Sequence, residues 1–380
     1  PPPPLFLFKQ KPANDIPLRL VGSEMCIRDR LFFPNITQAE TYECQASDPE
    51  GGYLDYLNDF AEEISDLTDG EVEFEFVEAG ALVQTNQILE AVHTNEIACG
   101  VSYTHYWDKF HPAAMLFGSP MAGAGLGIDN ISYYSWYLNG GGKKLYKRLW
   151  REMEKDIVGF HVAPFGPEAL GWFTTPIESM DDFRNNVSAY RAPPGLPGKT
   201  YKDVGVNAMS LGAKDLLPAL EQGIIDAAEW CCPAPDRQYG ISEVLKNYYL
   251  QGLHQVVVNG DLYINKDIYK EFSKQQKQAI ETAANASLMK FVARRIMNNG
   301  KALKILTEDE GVILHDTPDD YFTEFSAAAY KNIQELKETD TFFAEVFNSM
   351  EEFAEVAVPY WSNAQLSNAK LGKAYADSLK

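Results

Sequence analysis

What most limits the fold of this chain is the switching of its hydrophobic period between Thr41 and Ser102. Leu54, Leu57, Phe60, Ala61, Ile64 and Leu67 recur mostly at spacings of 3 and 4, the stripe of an amphipathic helix, and Gly70 stands where that helix would end. Val72-Glu-Phe-Glu-Phe76 then alternates strictly, as a half-buried strand does. A second helical stretch over 84–94 leads into the apolar run Ile97-Ala-Cys-Gly-Val-Ser102, and Thr41 to Ala46 is a strand candidate ahead of both. Strand, helix, strand, helix, strand is the order of a parallel α/β sheet. Such sheets take ligands at the carboxyl ends of their strands.

The pattern returns further on. Leu217-Pro-Ala-Leu-Glu-Gln-Gly-Ile-Ile225 echoes Ile88–Ile97: helix, polar break, strand-like run. At 380 residues the chain is too long for one hydrophobic core, so two lobes of related construction are expected. Ile157–Ala163 and Trp172–Pro176 read as strands of the second lobe, and Leu262-Tyr-Ile264 as the start of the return between lobes. A long helix is predicted over 274–306, a short strand over 311–315, and a helix start at Thr317-Pro-Asp-Asp. From 341 onward the pattern is helical, with Pro359 marking a break or kink.

Charge narrows the function. With 54 acidic and 33 basic residues the net charge is −21, which repels phosphate backbones and anionic lipid and argues against nucleic-acid and membrane-surface roles. No run of 18 apolar residues exists to span a bilayer. Five scattered cysteines do not make a disulfide framework. The opening Pro-rich stretch ends in Leu20-Val-Gly-Ser-Glu-Met-Cys-Ile-Arg-Asp-Arg30, which resembles a translated sequencing adapter and is set aside. Without it the balance is 28 basic to 51 acidic residues, or −23. Leu31–Ala39 reads as the end of a signal peptide, with a cleavage site before Glu40.

Motifs of catalysis are missing: no GxSxG, Walker A loop, HExxH or CxxC zinc pattern occurs. Asn139-Gly-Gly-Gly142 reads as a helix-ending loop rather than a phosphate cradle. The six histidines stand singly, so each is expected to be structural. Cys231-Cys232 is read as a pair of small buried residues rather than a reactive dithiol. The informative cluster is Ile225-Asp-Ala-Ala-Glu-Trp-Cys-Cys-Pro233, an acid and a tryptophan at the end of an apolar run. Glu168 sits in the loop Pro164–Trp172, and Arg191, in Tyr190-Arg-Ala-Pro-Pro-Gly195, offers a bidentate fork to a carboxylate. Singly, each reads better as surface charge or a structural ion pair than as a binding residue.

As a set, Asp226-Ala-Ala-Glu-Trp230, Tyr190-Arg-Ala-Pro-Pro-Gly195, Gly171-Trp-Phe173, Tyr137-Leu-Asn-Gly-Gly-Gly142 and Ala219–Asp226 resemble the solute-binding subunits of tripartite ATP-independent periplasmic (TRAP) transporters over about 41–340. The likeness is to the branch that binds 2-oxo and 2-hydroxy monocarboxylates with a metal ion. It implies an α/β, two-lobed periplasmic-binding-protein-like fold with a ligand cleft between lobes and a helical C-terminal extension. It implies a periplasmic receptor, not an enzyme, that captures a small organic acid and serves TRAP membrane permease subunits. An enzyme acting on organic acids, or a ligand sensor with the same fold, are the alternatives.

By the same resemblance Arg191 holds the substrate carboxylate, Glu229 gives a carboxylate and Trp230 a backbone carbonyl to the metal, and Glu168 completes the metal shell. Relatives can carry a neutral glutamine at the Glu168 position; a second carboxylate favours Ca2+ over Na+, since calcium suits a hard all-oxygen shell. Tyr103 and Tyr106 match a tyrosine-rich ligand loop. The expected organisation is 1–40 scar and signal-peptide remnant, 41–144 with 228–263 lobe I, 145–227 with 264–340 lobe II, and 341–380 the extension. Phe342, Phe343, Val346, Phe347, Met350 and Phe353 form an apolar face expected either to join a homodimer or to pack on its own lobe.

Overall fold

The computed structural model describes residues 40–48 and 52–378; the adapter-like segment and the signal-peptide remnant lie, Glu40 apart, outside the described residues. The strands are β1 (Glu40–Ala46), β2 (Val72–Val77), β3 (Cys99–Tyr103), β4 (Ile157–Pro164), β5 (Gly171–Phe173), β6 (Tyr190–Arg191), β7 (Ala208–Met209), β8 (Ala227–Ala228), β9 (Asn247–Tyr249), β10 (Asn259–Asn265) and β11 (Ile313–His315). They build two sheets, ordered β2-β1-β3-β10-β4 and β11-β9-β5-β8-β6-β7. The echo in the sequence has a structural counterpart. Helix Ile88–His93 feeds β3 of the first sheet, and helix Ala213–Glu221 feeds β8 of the second.

Neither sheet is purely parallel, as the strand–helix alternation had suggested. β1 runs parallel to both β2 and β3, but β10 is antiparallel to β3 and β4. In the second sheet β5 is antiparallel to β8 and β9. Hydrophobic period marks a strand without giving its direction. β10 arrives from the other sheet through 250–258 with no crossover helix, so nothing forces it parallel. Leu262–Ile264 therefore lies inside the first sheet. Ile157–Ala163, expected in the second lobe, is β4 and closes the first sheet, Ile157 opposite Asn265. β9, within the 228–263 segment expected in lobe I, pairs in the second sheet. Nearly every residue of β4 is buried, which marks a strand covered on both faces but not the sheet it joins.

A disulfide is present where none was expected: Cys44 and Cys99 face each other in the β1–β3 register and are bonded. Closing a 55-residue separation is worth about 4 kcal/mol in chain-entropy terms. Parallel pairing across an intervening helix brings them together, and no local spacing signals it.

Helix Lys274–Glu308 is capped at its start by a reciprocal pair. The Gln276 amide N–H donates to Ser273 Oγ (3.2 Å), and the Ser273 N–H to Gln276 Oε1 (2.8 Å). Ile280, Ala283, Ala284 and Phe291 enter the core against β1, β3 and β10, whereas Leu303 and Leu306 enter the core against β5 and β8. One helix is thus rooted in both lobes. Between helices Asn130–Asn139 and Gly142–Glu152, Gly141 takes φ 96° and a Cβ on Gly142 would meet the Trp136 ring at 2.9 Å; this is the helix-ending turn the glycine run predicted.

The C-terminal helix Thr341–Ser378 continues unbroken through Pro359. Trp361 Nε1 donates to Asp129 Oδ2 (2.8 Å), tying down the turn after the proline. Phe342, Phe343, Val346, Phe347 and Met350 are buried against this same chain with Phe353 packed beside them, so that face is a core element and not a free interface.

Candidate functional site

β6 and β8 are parallel neighbours with Arg191 opposite Ala228, so Arg191 and Glu229 leave the sheet side by side at its carboxyl edge. Arg191 Nη1 donates to the Glu229 carbonyl (2.9 Å) and closely to its Oε1, Nε donates to the Leu211 carbonyl (3.3 Å), and the guanidinium lies 5.3 Å from the Trp230 ring. Trp230 is itself stacked on Tyr239, centroids 4.6 Å apart. The loop ahead of β5 brings Glu168 to the same edge. Its N–H donates to the Gln255 carbonyl (3.0 Å), and the Ala169 N–H donates to the Cys231 carbonyl (2.7 Å). Gly171, at φ 119°, is pressed so close to β8 that a Cβ there would sit 2.3 Å from the Ala228 carbonyl oxygen. Any other residue would push Glu168 away from Glu229.

The fourth group comes from the 250–258 segment. His254, fully buried, turns Nε2 toward Glu229 Oε2 (3.3 Å) and Glu168 Oε2 (3.9 Å), while Nδ1 bonds the Tyr201 hydroxyl (2.9 Å). Burial, aided by the Arg191 charge, pushes the imidazole down to about 3, so it is neutral at physiological pH. Burial likewise drives the Glu168 carboxyl well above the usual carboxylate range, with the nearby Cys232 sulfur adding to the shift. Glu168 Oε2, Glu229 Oε2 and His254 Nε2 are buried without a hydrogen-bond partner. These ligand atoms lie within 4.8 Å of one another. Three buried, convergent, unpartnered atoms are costly to leave bare, and a cation between them removes that cost.

Tyr103 and Tyr106 come from the far lobe, at the end of β3. The Tyr103 hydroxyl donates to Asp48 Oδ2 (3.0 Å), Tyr106 packs edge-on against it at 5.2 Å, and Tyr106 lies within electrostatic reach of Glu168 and Arg191. Of the residues singled out in the sequence, Glu168, Arg191, Glu229 and Trp230 are gathered in one place, with the two tyrosines facing them. His254 was set aside as structural. It stands alone in the sequence, and only the passage from β9 to β10 carries it to the carboxylates. Asp236 was also missed. It braces the floor by accepting from Trp172 Nε1 (2.8 Å), the Tyr248 hydroxyl (2.9 Å) and the Cys231 N–H (2.9 Å), and burial pushes it up to about 7.

Comparison with known proteins fits this geometry. The profile of the bacterial extracellular solute-binding proteins, family 7, matches residues 42–340. A monocarboxylate 2-oxoacid-binding periplasmic protein of Nostoc sp. (strain PCC 7120) is 26% identical over 243 residues, 64% of this chain, and the chain spans just under two thirds (64%) of that relative's length. A TRAP transporter solute-binding protein from Bordetella bronchiseptica RB50 superposes with a TM-score of 0.80 at 22% identity, over 90% of this chain and 99% of the other. Its mixed-occupancy dimer holds copurified calcium and picolinate in one active site. A TRAP periplasmic solute-binding protein from Pseudoalteromonas atlantica T6c, with bound sodium and pyruvate, gives a TM-score of 0.77 at 20% identity over 88% and 99% of the chains. Two mixed α/β lobes with long C-terminal helices are the fold these proteins share. The chain belongs to the bacterial extracellular solute-binding proteins, family 7.

Proposed function

We propose that this protein captures a small 2-oxo or 2-hydroxy monocarboxylate together with calcium and delivers it to the membrane permease subunits of a TRAP transporter. The observation that carries the reading is the convergence of Glu168 Oε2, Glu229 Oε2 and His254 Nε2 beside Arg191. Glu168 and Glu229 hold the cation through their free oxygens, the Trp230 carbonyl joins them, and His254, being neutral, adds no repelling charge. Glu229 keeps its other oxygen on Arg191, so one carboxylate links the metal to the arginine. Glu229 and Leu211 occupy Arg191 Nη1 and Nε, so Nη2 is the donor that Arg191 offers to the acid's carboxylate. A bound cation would supply positive charge for the acid's 2-oxygen, and Tyr103 and Tyr106 face the site from the other lobe. Two carboxylates favour a divalent hard ion over sodium.

The lobes divide along the two sheets, with the chain crossing at 165–170 and 250–258 and along helix Lys274–Glu308. Calorimetric titration with pyruvate, in calcium and after exhaustive chelation, tests the capture. Binding is expected only with the metal. Full-strength binding by protein that elemental analysis finds metal-free would refute it, and a sodium requirement unaffected by calcium would reassign the ion.

Association of two copies is carried by the part of the C-terminal helix beyond Pro359, where Tyr360 (75% exposed), Leu371 (73%) and Tyr375 (68%) are uncovered. Truncation after Val358 spares the buried anchors from Phe342 to Ala354. It should convert a dimer to a folded monomer in light scattering; a full chain that is already monomeric defeats the idea.

A further inference from the structure

Two pairs of cysteines in this chain live under opposite conditions. Cys44 and Cys99 are fully buried and bonded across a strand pair. Cys231 and Cys232 lie immediately after Trp230, at the rim of the candidate site, with their sulfurs 2.9 Å apart. Cys231 is only half-buried and lies within electrostatic reach of Tyr103, Tyr106 and Glu168, whereas Cys232 is buried and accepts a hydrogen bond from Arg295 Nη2 at 3.2 Å. Cys231 is the less buried of the two, and Cys232 lies beside a guanidinium.

We propose that Cys231 and Cys232 form a reversible redox site, closing into a vicinal disulfide that weakens capture of the acid. The second half rests on the receptor reading above; the first half does not. A low-molecular-weight disulfide is the oxidant. The Cys231 sulfur attacks it, forming a mixed disulfide and releasing one thiol, which carries off the Cys231 proton. Cys232 then attacks Cys231 Sγ, the ring closes, and the second thiol leaves with the Cys232 proton. Two cysteine thiols are oxidised and one external disulfide is reduced to two thiols. Arg295, donating to Cys232 Sγ, favours that sulfur as the attacking anion, and the negative charge passes to the departing sulfur.

Reversibility follows from covalent geometry. Neighbouring Cα atoms are about 3.8 Å apart, short of the roughly 4.4–6.8 Å span of ordinary bridges. A bridge between them is strained, and strained, accessible disulfides are the ones readily reduced. It would therefore cycle under conditions that leave Cys44–Cys99 closed. The consequence for the site follows from the backbone. The peptide inside the new ring lies between Cys231, whose carbonyl accepts from Ala169 and whose N–H donates to Asp236, and Cys232, the residue that precedes helix Pro233–Tyr239. Twisting it loosens the tie that seats Glu168 next to Glu229. Arg295 also donates to the Gly166 carbonyl (2.7 Å), so the crossing segment ahead of Glu168 is held from the same point.

The test equilibrates the full chain in reduced and in oxidised glutathione, blocks free thiols with N-ethylmaleimide, and maps the peptides by mass. Cys231 and Cys232 should both carry label in the reduced sample and neither in the oxidised one, with Cys44 and Cys99 unlabelled throughout. Pyruvate with calcium should bind several-fold more weakly to the oxidised protein and recover on reduction, and Cys231→Ser should abolish the redox dependence. Equal labelling in both buffers, or closure of the ring with unchanged affinity, overturns the proposal. If pyruvate binds neither form, the receptor reading has failed and the labelling alone decides the redox site.

Discussion

The two lobes each bury a histidine among carboxylates, and the two clusters are built to opposite ends. In the first, Asp261 receives Thr104 Oγ1 and the Tyr146 hydroxyl (3.0 Å) on one oxygen and His161 Nδ1 on the other, while His161 Nε2 bonds the Tyr133 hydroxyl (3.1 Å). Every polar atom there has a partner inside the protein. In the second, Glu168, Glu229 and His254 each keep one atom bare and point it at the others. Burial is equal in the two; satisfaction is not. A finished polar network holds a lobe together from within, and an unfinished one leaves buried groups still wanting a partner.

That contrast can be broken by substitution. Asp261→Ala should cost the most, roughly 3–5 kcal/mol of folding stability, because it strands a buried histidine. Chemical denaturation would show the loss, and acid affinity of the folded fraction should hardly move; a large affinity loss with intact stability would mean that the first cluster is also a ligand site. Arg191→Ala should cost roughly 2–5 kcal/mol in pyruvate affinity, with Arg191→Lys falling between it and the parent, since a lysine keeps the charge but not the fork. A lysine variant that binds as well as the parent contradicts the role given to Arg191. Glu168→Gln should weaken calcium-dependent binding by roughly tenfold, about 1.4 kcal/mol. It should leave the melting temperature of cation-free protein unchanged or higher, as a desolvated carboxyl is removed. A lower melting temperature with unaltered binding would make Glu168 a structural residue.

A further effect lies in the pH dependence of the cation-free protein. Glu168 is raised above its ordinary 4.5, so the folded chain keeps a proton the unfolded chain gives up, and its contribution to stability is lost as pH rises through that window. His254 is lowered from 6.5 to about 3, so the folded chain refuses a proton the unfolded chain accepts, and stability is lost as pH falls from 6.5 toward 3. Neither limb can exceed about 1.4 kcal/mol per pH unit. Calcium should flatten the Glu168 limb and spare the His254 limb. Denaturation midpoints measured across pH 4–8 with and without calcium would show it; an equal effect on both limbs would mean the ion binds elsewhere.

Helix Gly52–Leu67 and strand Val72–Val77 could be read from period, because each buries one face and says so in its spacing; helices Met180–Asn186 and Leu196–Asp203 and the two- and three-residue strands β6, β7 and β9 could not. Direction and partner could not. β4 is apolar nearly throughout and fits either sheet, and β10 runs against its neighbours for a reason that lies in the preceding loop. Glu168, Arg191, Glu229 and Trp230 were legible as a set of motifs. Their meeting point was not, since it depends on Gly171 allowing two strand ends to touch. His254 left no trace, because a single histidine after a strand looks the same whether it faces solvent, core or metal. The Cys44–Cys99 bridge was hidden for the same reason: its two halves are adjacent only once β1 and β3 are paired.

Helix Lys274–Glu308 has a mechanical consequence. At 1.5 Å per residue it is a rod about 50 Å long, clamped near one end by Ile280 and Phe291 and near the other by Leu306. Between the clamps, Ile296 and Met297 are largely bare on one face, while on the other Arg295 donates to the Gly166 carbonyl and Asn299 Oδ1 accepts from the Ala234 N–H. A rod held at both ends resists hinging and yields by bowing. Any displacement of one lobe against the other therefore has to bend this helix.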